Sequence, residues 1–380
     1  MRRVLLLGAG KIGRMIAKLL AASGDYDVLL GDIDPPALER AGQLVGVRTR
    51  LVNARCPSEL GAAMADRDCV VSALSYHFNT VVAQAALDAG ISYFDLTEDI
   101  ETTCRVRTLA DAAGKGQIFM PQCGLAPGFV SIAASHLAKQ FDSLDAVYAR
   151  VGALPQFPSN ALKYNLTWST DGLINEYCNP CEVIHEGRRI SVLPLEGLEQ
   201  FSLDGVRYEA FNTSGGIGTL CETLESQVRQ LNYKTIRYSG HRDLMNFLVN
   251  ELRLSQRRDL LKDILEKAVP VTLQDVVIVF CTATGWQDGQ LVQLSDARKI
   301  YQQSIDGEHW SAIQVTTAAG ITAAIDLHFA GRLPERGFVR QEEIDFDEFL
   351  DNRFGTYYRC LPATRFTRIE SQLPQMQHVH

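Results

Sequence analysis

The sequence lacks any apolar run long enough to span a bilayer, which excludes an integral helical membrane protein. It also lacks a surplus of positive charge. Lys and Arg number 37 against 45 Asp and Glu, a formal net charge of -8. A nucleic-acid-binding footprint is therefore missing, and so is the basic surface that an acidic membrane would attract. There is no G-x-S-x-G elbow, no H-E-x-x-H and no Walker A motif, so hydrolase and NTPase readings have no support. Internal repeats and low-complexity tracts are missing too. The nine cysteines are scattered and odd in number, with one C-x-x-C, Cys178-Asn-Pro-Cys181. No second pair stands at zinc-ribbon spacing, so reduced thiols and no metal are expected. Met1-Arg2-Arg3 leads straight into an apolar strand. No targeting segment is read there, and a cytoplasmic protein is expected.

What the sequence does have starts with Gly8-Ala9-Gly10-Lys11-Ile12-Gly13. It follows the apolar run Val4–Leu7 and precedes an amphipathic pattern through Leu20. Such a strand–glycine turn–helix unit presents free N–H groups to a pyrophosphate. Val28-Leu29-Leu30-Gly31-Asp32 reads as the next strand, ending in a carboxylate placed to accept from a ribose diol. A phosphate there would be repelled, which favours NAD while leaving NADP open.

At 380 residues, two domains are the better expectation. Strands and helices alternate as far as Pro121, which predicts a parallel, doubly wound α/β sheet. The rhythm then changes. Pro155, Pro158, Pro180 and Pro194 break the next stretch into loops, and strand signals follow at Tyr233–Tyr238, Val271–Thr284 and Leu291–Gln303. This part reads as an antiparallel α+β domain. Ile313–Ala330, rich in Ala and Thr, reads as a helix that returns to the first domain. The expected division is 1–123 for the Rossmann domain, 124–312 for an inserted substrate and dimerisation domain, and 313–368 for the returning segment.

Ligands of a doubly wound sheet bind beyond the carboxyl ends of its strands. That rim gathers the glycine loop, Ser72–Tyr76, Asp95–Glu98 and Gln122–Gly124. Small residues after the fourth strand (Ala73, Leu74, Ser75) allow a nicotinamide to approach. Asp95 and Glu98 can pair with an ammonium or act as a base. In Tyr233–Tyr238, alternation puts Lys234, Ile236 and Tyr238 on one face and Thr235 and Arg237 on the other. Arg237 has the bidentate fork suited to a substrate carboxylate. Thr213-Ser214-Gly215-Gly216 is a glycine-rich turn whose N–H groups could hold an anion.

These stretches carry a resemblance. With Gly124-Leu-Ala-Pro-Gly128, Lys163-Tyr-Asn165 and Tyr233-Lys-Thr-Ile-Arg-Tyr-Ser-Gly-His241, the chain resembles the saccharopine dehydrogenase (glutamate-forming)/lysine 6-dehydrogenase group, in its short lysine 6-dehydrogenase form. The resemblance implies a Rossmann domain with an inserted substrate domain, a basic amino-acid substrate and a homodimer. Two stretches of the rim depart from the group, Thr97-Glu98 and Gln122-Cys123. The resulting expectation is NAD-dependent oxidative deamination of L-lysine, or of a close basic amino acid, at the terminal amine. The semialdehyde formed would cyclise. Saccharopine- or carboxyspermidine-type chemistry is the alternative among enzymes, and a non-catalytic NAD-binding sensor or assembly protein is the alternative outside them. In this scheme Asp95, Glu98 or Lys234 handles the proton. Tyr76, Asn79, Asn165, Arg237, Tyr238 and His241 bind substrate. Gly8, Gly10, Lys11, Ile12, Gly13, Asp32, Ile33, Ala73, Leu74, Ser75 and Gly124 hold the cofactor.

Overall fold

The computed structural model describes residues 1–359. Of the expected returning segment, 360–368 lie outside the described residues. The first sheet contains β1 (Arg2–Leu7), β2 (Tyr26–Asp32), β3 (Val47–Leu51), β4 (Cys69–Ser72), β5 (Ser92–Asp95) and β6 (Ile118–Met120). They lie in the order β6-β5-β4-β1-β2-β3, all parallel. Apolar runs such as Val4–Leu7 and Cys69–Val71 are buried on both faces, as parallel strands covered by helices require. The order reverses between β1 and β4, and there the doubly wound fold opens its ligand crevice. α1 (Lys11–Ala22) follows β1 across the glycine loop.

The second sheet has eight strands. β7 (Ser143–Pro155) leads into β8 (Cys181–His185), β9 (Arg188–Val192), β10 (Glu199–Leu203), β11 (Val206–Asn212) and β12 (Gln230–Tyr238). β13 (Asp275–Gln287) and β14 (Gln290–Tyr301) complete it. The order is β10-β11-β12-β7-β13-β14, with β8 also on β12 and β9 on β8. The sheet is mixed rather than antiparallel, because β12 runs parallel to β7. Residues 156–229 supply the long crossover that such a pair needs. β13 and β14 close on Asp288-Gly289, both at positive φ, as a two-residue hairpin of this kind demands.

A helix not expected from the sequence, Thr170–Cys178, interrupts the stretch read as loops. Ser169 caps it by accepting from Gly172 N. The helix Ala312–Phe329 is capped by a Ser311/Gln314 box, and Asp275 of β13 accepts from Ala312 N and Ile313 N. It is buried almost all round between α1 and β13. After it, Gly337–Phe338 pairs in parallel with β6 and extends the first sheet. One continuous core therefore runs from Val4 and Leu6 through this helix to Val277 and Val279.

Candidate active site

The glycine loop has the geometry its sequence implies. Gly8 has φ +107°, and a methyl group there would sit 2.7 Å from the Ala73 carbonyl oxygen. A methyl on Gly13 would overlap the Gly8 carbonyl oxygen, whereas one on Gly10 would meet nothing within 4 Å. Two glycines thus close the turn and the third faces open space. Gly10 caps α1 with no side-chain acceptor, which leaves N–H groups free for an anion. The Asp32 carboxylate accepts from Ala9 N at 2.6 Å and Asp34 N at 2.9 Å, tying the end of β2 to the loop. Ile33 is 64% exposed beside it. Lys11 Nζ donates to Leu166 O at 3.4 Å. These features fit a dinucleotide.

The loops after β4, β5 and β6 face β7 and β12 across a cavity that is partly open to solvent. Ile12, Ala73, Leu74, Ser75 and Gly124 line it, as do Tyr76 and Glu98. Ser75 Oγ is buried there without a hydrogen-bond partner, an orphan suited to a polar group of the ligand. Gly124–Gly128 folds tightly: Gly128 has φ +134°, and a methyl on Gly320 would come 2.6 Å from Gly124 O.

Alternation on β12 sends Tyr233, Thr235 and Arg237 into the cavity. Lys234 and Tyr238 leave the candidate site, because they lie on the other face. Lys234 Nζ is held by Glu199 and Gly197 O, and Tyr238 Oη donates to Pro155 O. Asp95 also leaves the group of acids that reach substrate. It is fully buried behind the rim and accepts from Tyr93 Oη, Thr97 N and Gln122 N, while burial raises it to about 6. It orders the rim loops. Asn79 stays behind the wall as well, accepting from Ser72 Oγ at 2.7 Å. Asn165 is buried away from the cavity wall with its Oδ1 unpartnered.

Arg237 is 3% exposed and tightly held. Its Nε donates to Tyr177 Oη at 2.9 Å, and Nη1 donates to Thr235 Oγ1 and Ile236 O. Its plane lies over Tyr164, 4.8 Å from the ring centre. His241 supports it from behind. A backbone carbonyl only accepts, so Nδ1 must donate to Leu162 O, which leaves Nε2 to accept from Tyr177 Oη. Burial and the nearby Arg237 lower His241 to about 3, and it stays neutral. His241 is thus a positioning residue and makes no cavity contact.

Two carboxyls share the wall with this cation. Glu98 receives a long bond from Asn175 Nδ2 at 3.4 Å, and burial raises it to about 7. The glycines of the Thr213–Gly216 turn make room for it. A methyl on Gly215 would overlap Glu98 O, and one on Gly216 would overlap the Tyr233 ring. The turn is therefore closely packed against Glu98 and Tyr233. The second carboxyl, Glu176, was not among the residues singled out from the sequence. It is 6% exposed, and burial raises it to about 8 against the opposing pull of Arg237. It sits in the unexpected helix, whose sequence signal was the Ser169 cap followed by Leu173, Ile174 and Tyr177. Cys178 and Cys181 end and begin elements beside it, and burial raises both thiols, so neither is an activated thiolate.

Comparison with known proteins then decides the family. Residues 4–120 match the model of the saccharopine dehydrogenase NADP binding domain, and 124–353 match that of the saccharopine dehydrogenase C-terminal domain. The chain belongs to the saccharopine dehydrogenase family. Among the relatives of this family member is saccharopine dehydrogenase [NADP(+), L-glutamate-forming] of Saccharomyces cerevisiae, 22% identical over 81% of this chain and 70% of that one. Another is the mitochondrial alpha-aminoadipic semialdehyde synthase of Rattus norvegicus, 22% identical over 65% of this chain. The chain spans only 28% of the length of that synthase. The apo saccharopine dehydrogenase (L-Glu forming) structure from S. cerevisiae superposes with a TM-score of 0.77 at 17% identity, covering 92% of this chain and 97% of that one. The fold is therefore that of a nicotinamide-dinucleotide oxidoreductase family whose members act on CH–NH donors. No helix among the described residues is long and apolar enough to cross a membrane.

Proposed function

We propose that this protein oxidatively deaminates L-lysine, or a close basic amino acid, at its terminal amine, with NAD as the preferred coenzyme. The observation that carries this reading is the charge of the cavity wall, which bears one arginine, Arg237, and two carboxyls, Glu98 and Glu176. A single cation suits one carboxylate, and the acidic remainder suits amines.

Gly8, Gly10, Gly13 and the start of α1 would hold the pyrophosphate, and Asp32 the ribose. When bound, nicotinamide supplies a hydride acceptor. Arg237 holds the substrate carboxylate with a guanidinium already fixed by Tyr177, Thr235 and Tyr164, so little ordering is lost on binding. The reacting amine must lose a proton before its carbon gives up hydride. Glu98, raised to about 7, is half-ionised near neutrality and is the group on the nicotinamide side that can accept that proton. Tyr76 closes the same side. Water then hydrolyses the imine to an aldehyde and ammonia, and the aldehyde cyclises onto the remaining amine. A cytoplasmic homodimer belongs to the same reading.

NAD is favoured by the negative charge of Asp32 at the end of β2, which would repel a 2′-phosphate. The matched domain model and the yeast relative both carry NADP in their names, so both coenzymes belong in the test. One observation favours saccharopine-type chemistry as a second reading. Arg258 donates to Asn175 and Asn179, and Asn175 in turn donates to Glu98. Arg258 is placed as the second cation that an amino-acid conjugate would need. A coenzyme-reduction screen over L-lysine, saccharopine, ornithine and polyamines, with NAD and NADP, separates the readings. Turnover of L-lysine supports the first, and turnover of saccharopine alone supports the second. Coenzyme binding without turnover of any amine would leave a sensor.

A further inference from the structure

Glu176 is the feature of the cavity that the reaction above does not use. Its Oε2 has no hydrogen-bond partner, although the side chain is almost wholly buried in the cavity wall. Its nearest cation is Arg237 Nη2 at 3.7 Å, outside hydrogen-bond distance. A buried acceptor left unmade is costly, and such groups in native proteins call for an explanation. The helix that carries it is firmly placed. Glu176 O accepts from Ser214 N, Asn175 Oδ1 accepts from Arg258, and Asp171 pairs with Lys262. The carboxyl is thus held short of Arg237 by its backbone.

An α-amino acid carries its carboxylate and its ammonium on one carbon, so its head is two opposite charges a few ångströms apart. The Arg237 guanidinium and the Glu176 carboxyl are a cation and an acidic acceptor at matching separation, and Glu176 Oε2 has no hydrogen-bond partner. We infer that Arg237 and Glu176 together form a receptor for the zwitterionic head of an α-amino acid, with Glu176 binding the α-ammonium. The inference rests on the reading above in one respect, that Arg237 takes the substrate carboxylate. It fixes the substrate class more narrowly. With the α-ammonium held at Glu176, the amine offered to Glu98 is a distal one. Carboxylates without an α-amine and diamines without a carboxylate are poor ligands.

The groups facing Glu176 are Arg237 and Tyr233 from β12, Glu98 from the end of β5, Tyr164, Tyr177, and Cys181 from β8. Arg237 is the only permanent cation among them. In the empty cavity burial raises Glu176 to about 8, so at neutral pH it carries a proton for much of the time. An arriving ammonium stabilises the carboxylate and expels that proton. Binding therefore releases protons.

The test is calorimetry on the full chain with L-lysine, ε-aminocaproate (which lacks the α-amine) and cadaverine (which lacks the carboxylate). The unaltered protein should bind L-lysine roughly 10- to 100-fold more tightly than ε-aminocaproate, the size of one charge-assisted contact. Glu176→Gln should collapse that ratio towards one and reduce the proton release measured in buffers of different ionisation heat. Equal binding of L-lysine and ε-aminocaproate by the unaltered protein would overturn the receptor, whether or not the variant folds. A ratio kept intact in a folded Glu176→Gln protein would overturn it too. If L-lysine binds with this preference and no coenzyme is reduced, the proposed reaction fails and the receptor stands. If L-lysine is oxidised without the preference, the receptor fails and the reaction stands.

Discussion

Replacing Glu176 with glutamine should stabilise the protein progressively more as pH rises from mild acid into alkali. Glu176 is 6% exposed, and burial raises it from 4.5 to about 8. Between those values the folded chain binds a proton that the unfolded chain has released. For a carboxyl raised in this way, the contribution to stability is full below the unfolded value and is lost as pH rises through the folded one. From about pH 5.5 to about pH 8.5 the loss is roughly 3 kcal/mol, obtained by linkage from the two values. Glutamine mimics the protonated carboxyl and does not titrate. The variant's advantage over its parent should therefore grow by roughly 3 kcal/mol between about pH 5.5 and about pH 8.5. That corresponds to roughly 6–12 °C in the melting temperature of a domain this size. Asp95, Asp275 and Glu98 are raised by burial in the same direction, and both proteins keep them. Urea denaturation of both proteins at the two pH values is the assay. A variant whose advantage does not grow between the two pH values would refute the buried, proton-holding state of Glu176.

Three further outcomes follow from the geometry. Glu98→Gln should lower kcat roughly a hundred- to ten-thousandfold. The parent's kcat/KM should rise with pH through about 7 as Glu98 becomes a carboxylate, and the variant should lose that limb in a steady-state pH series. Gly13→Ala drives a methyl into the Gly8 carbonyl oxygen, so it should abolish coenzyme binding in a fluorescence titration and cost about 1–3 kcal/mol of stability. Asp32→Asn keeps an acceptor for Ala9 N and removes the charge, so the ratio of kcat/KM for NADP to that for NAD should rise roughly tenfold.

The Rossmann half was largely legible because its signals are local. Apolar runs bounded by glycine, such as Val4–Leu7 before Gly8, fix strand, turn and helix within a dozen residues. The second half was less so. The parallel pairing of β7 with β12 joins residues far apart in sequence, and no local pattern encodes it. Prolines at 155, 158, 180 and 194 masked the helix Thr170–Cys178, and with it Glu176. Alternation on β12 was readable and separated Arg237 from Lys234, but which face meets the cavity depends on packing. Asp95 shows the remaining limit. Its position on the rim was evident from the strand, whereas its enclosure by Tyr93, Thr97 and Gln122 is completed only when the loop after β6 meets the end of β5.

The central claim, that the cavity presents a basic amino acid to a nicotinamide coenzyme, is tested most directly by coenzyme reduction with L-lysine. Purified protein should form reduced coenzyme in proportion to the L-lysine added, with ammonia released in equal amount, and Arg237→Met should raise KM far more than it lowers kcat. Saturable coenzyme binding with no reduction by L-lysine or any other basic amine would contradict it.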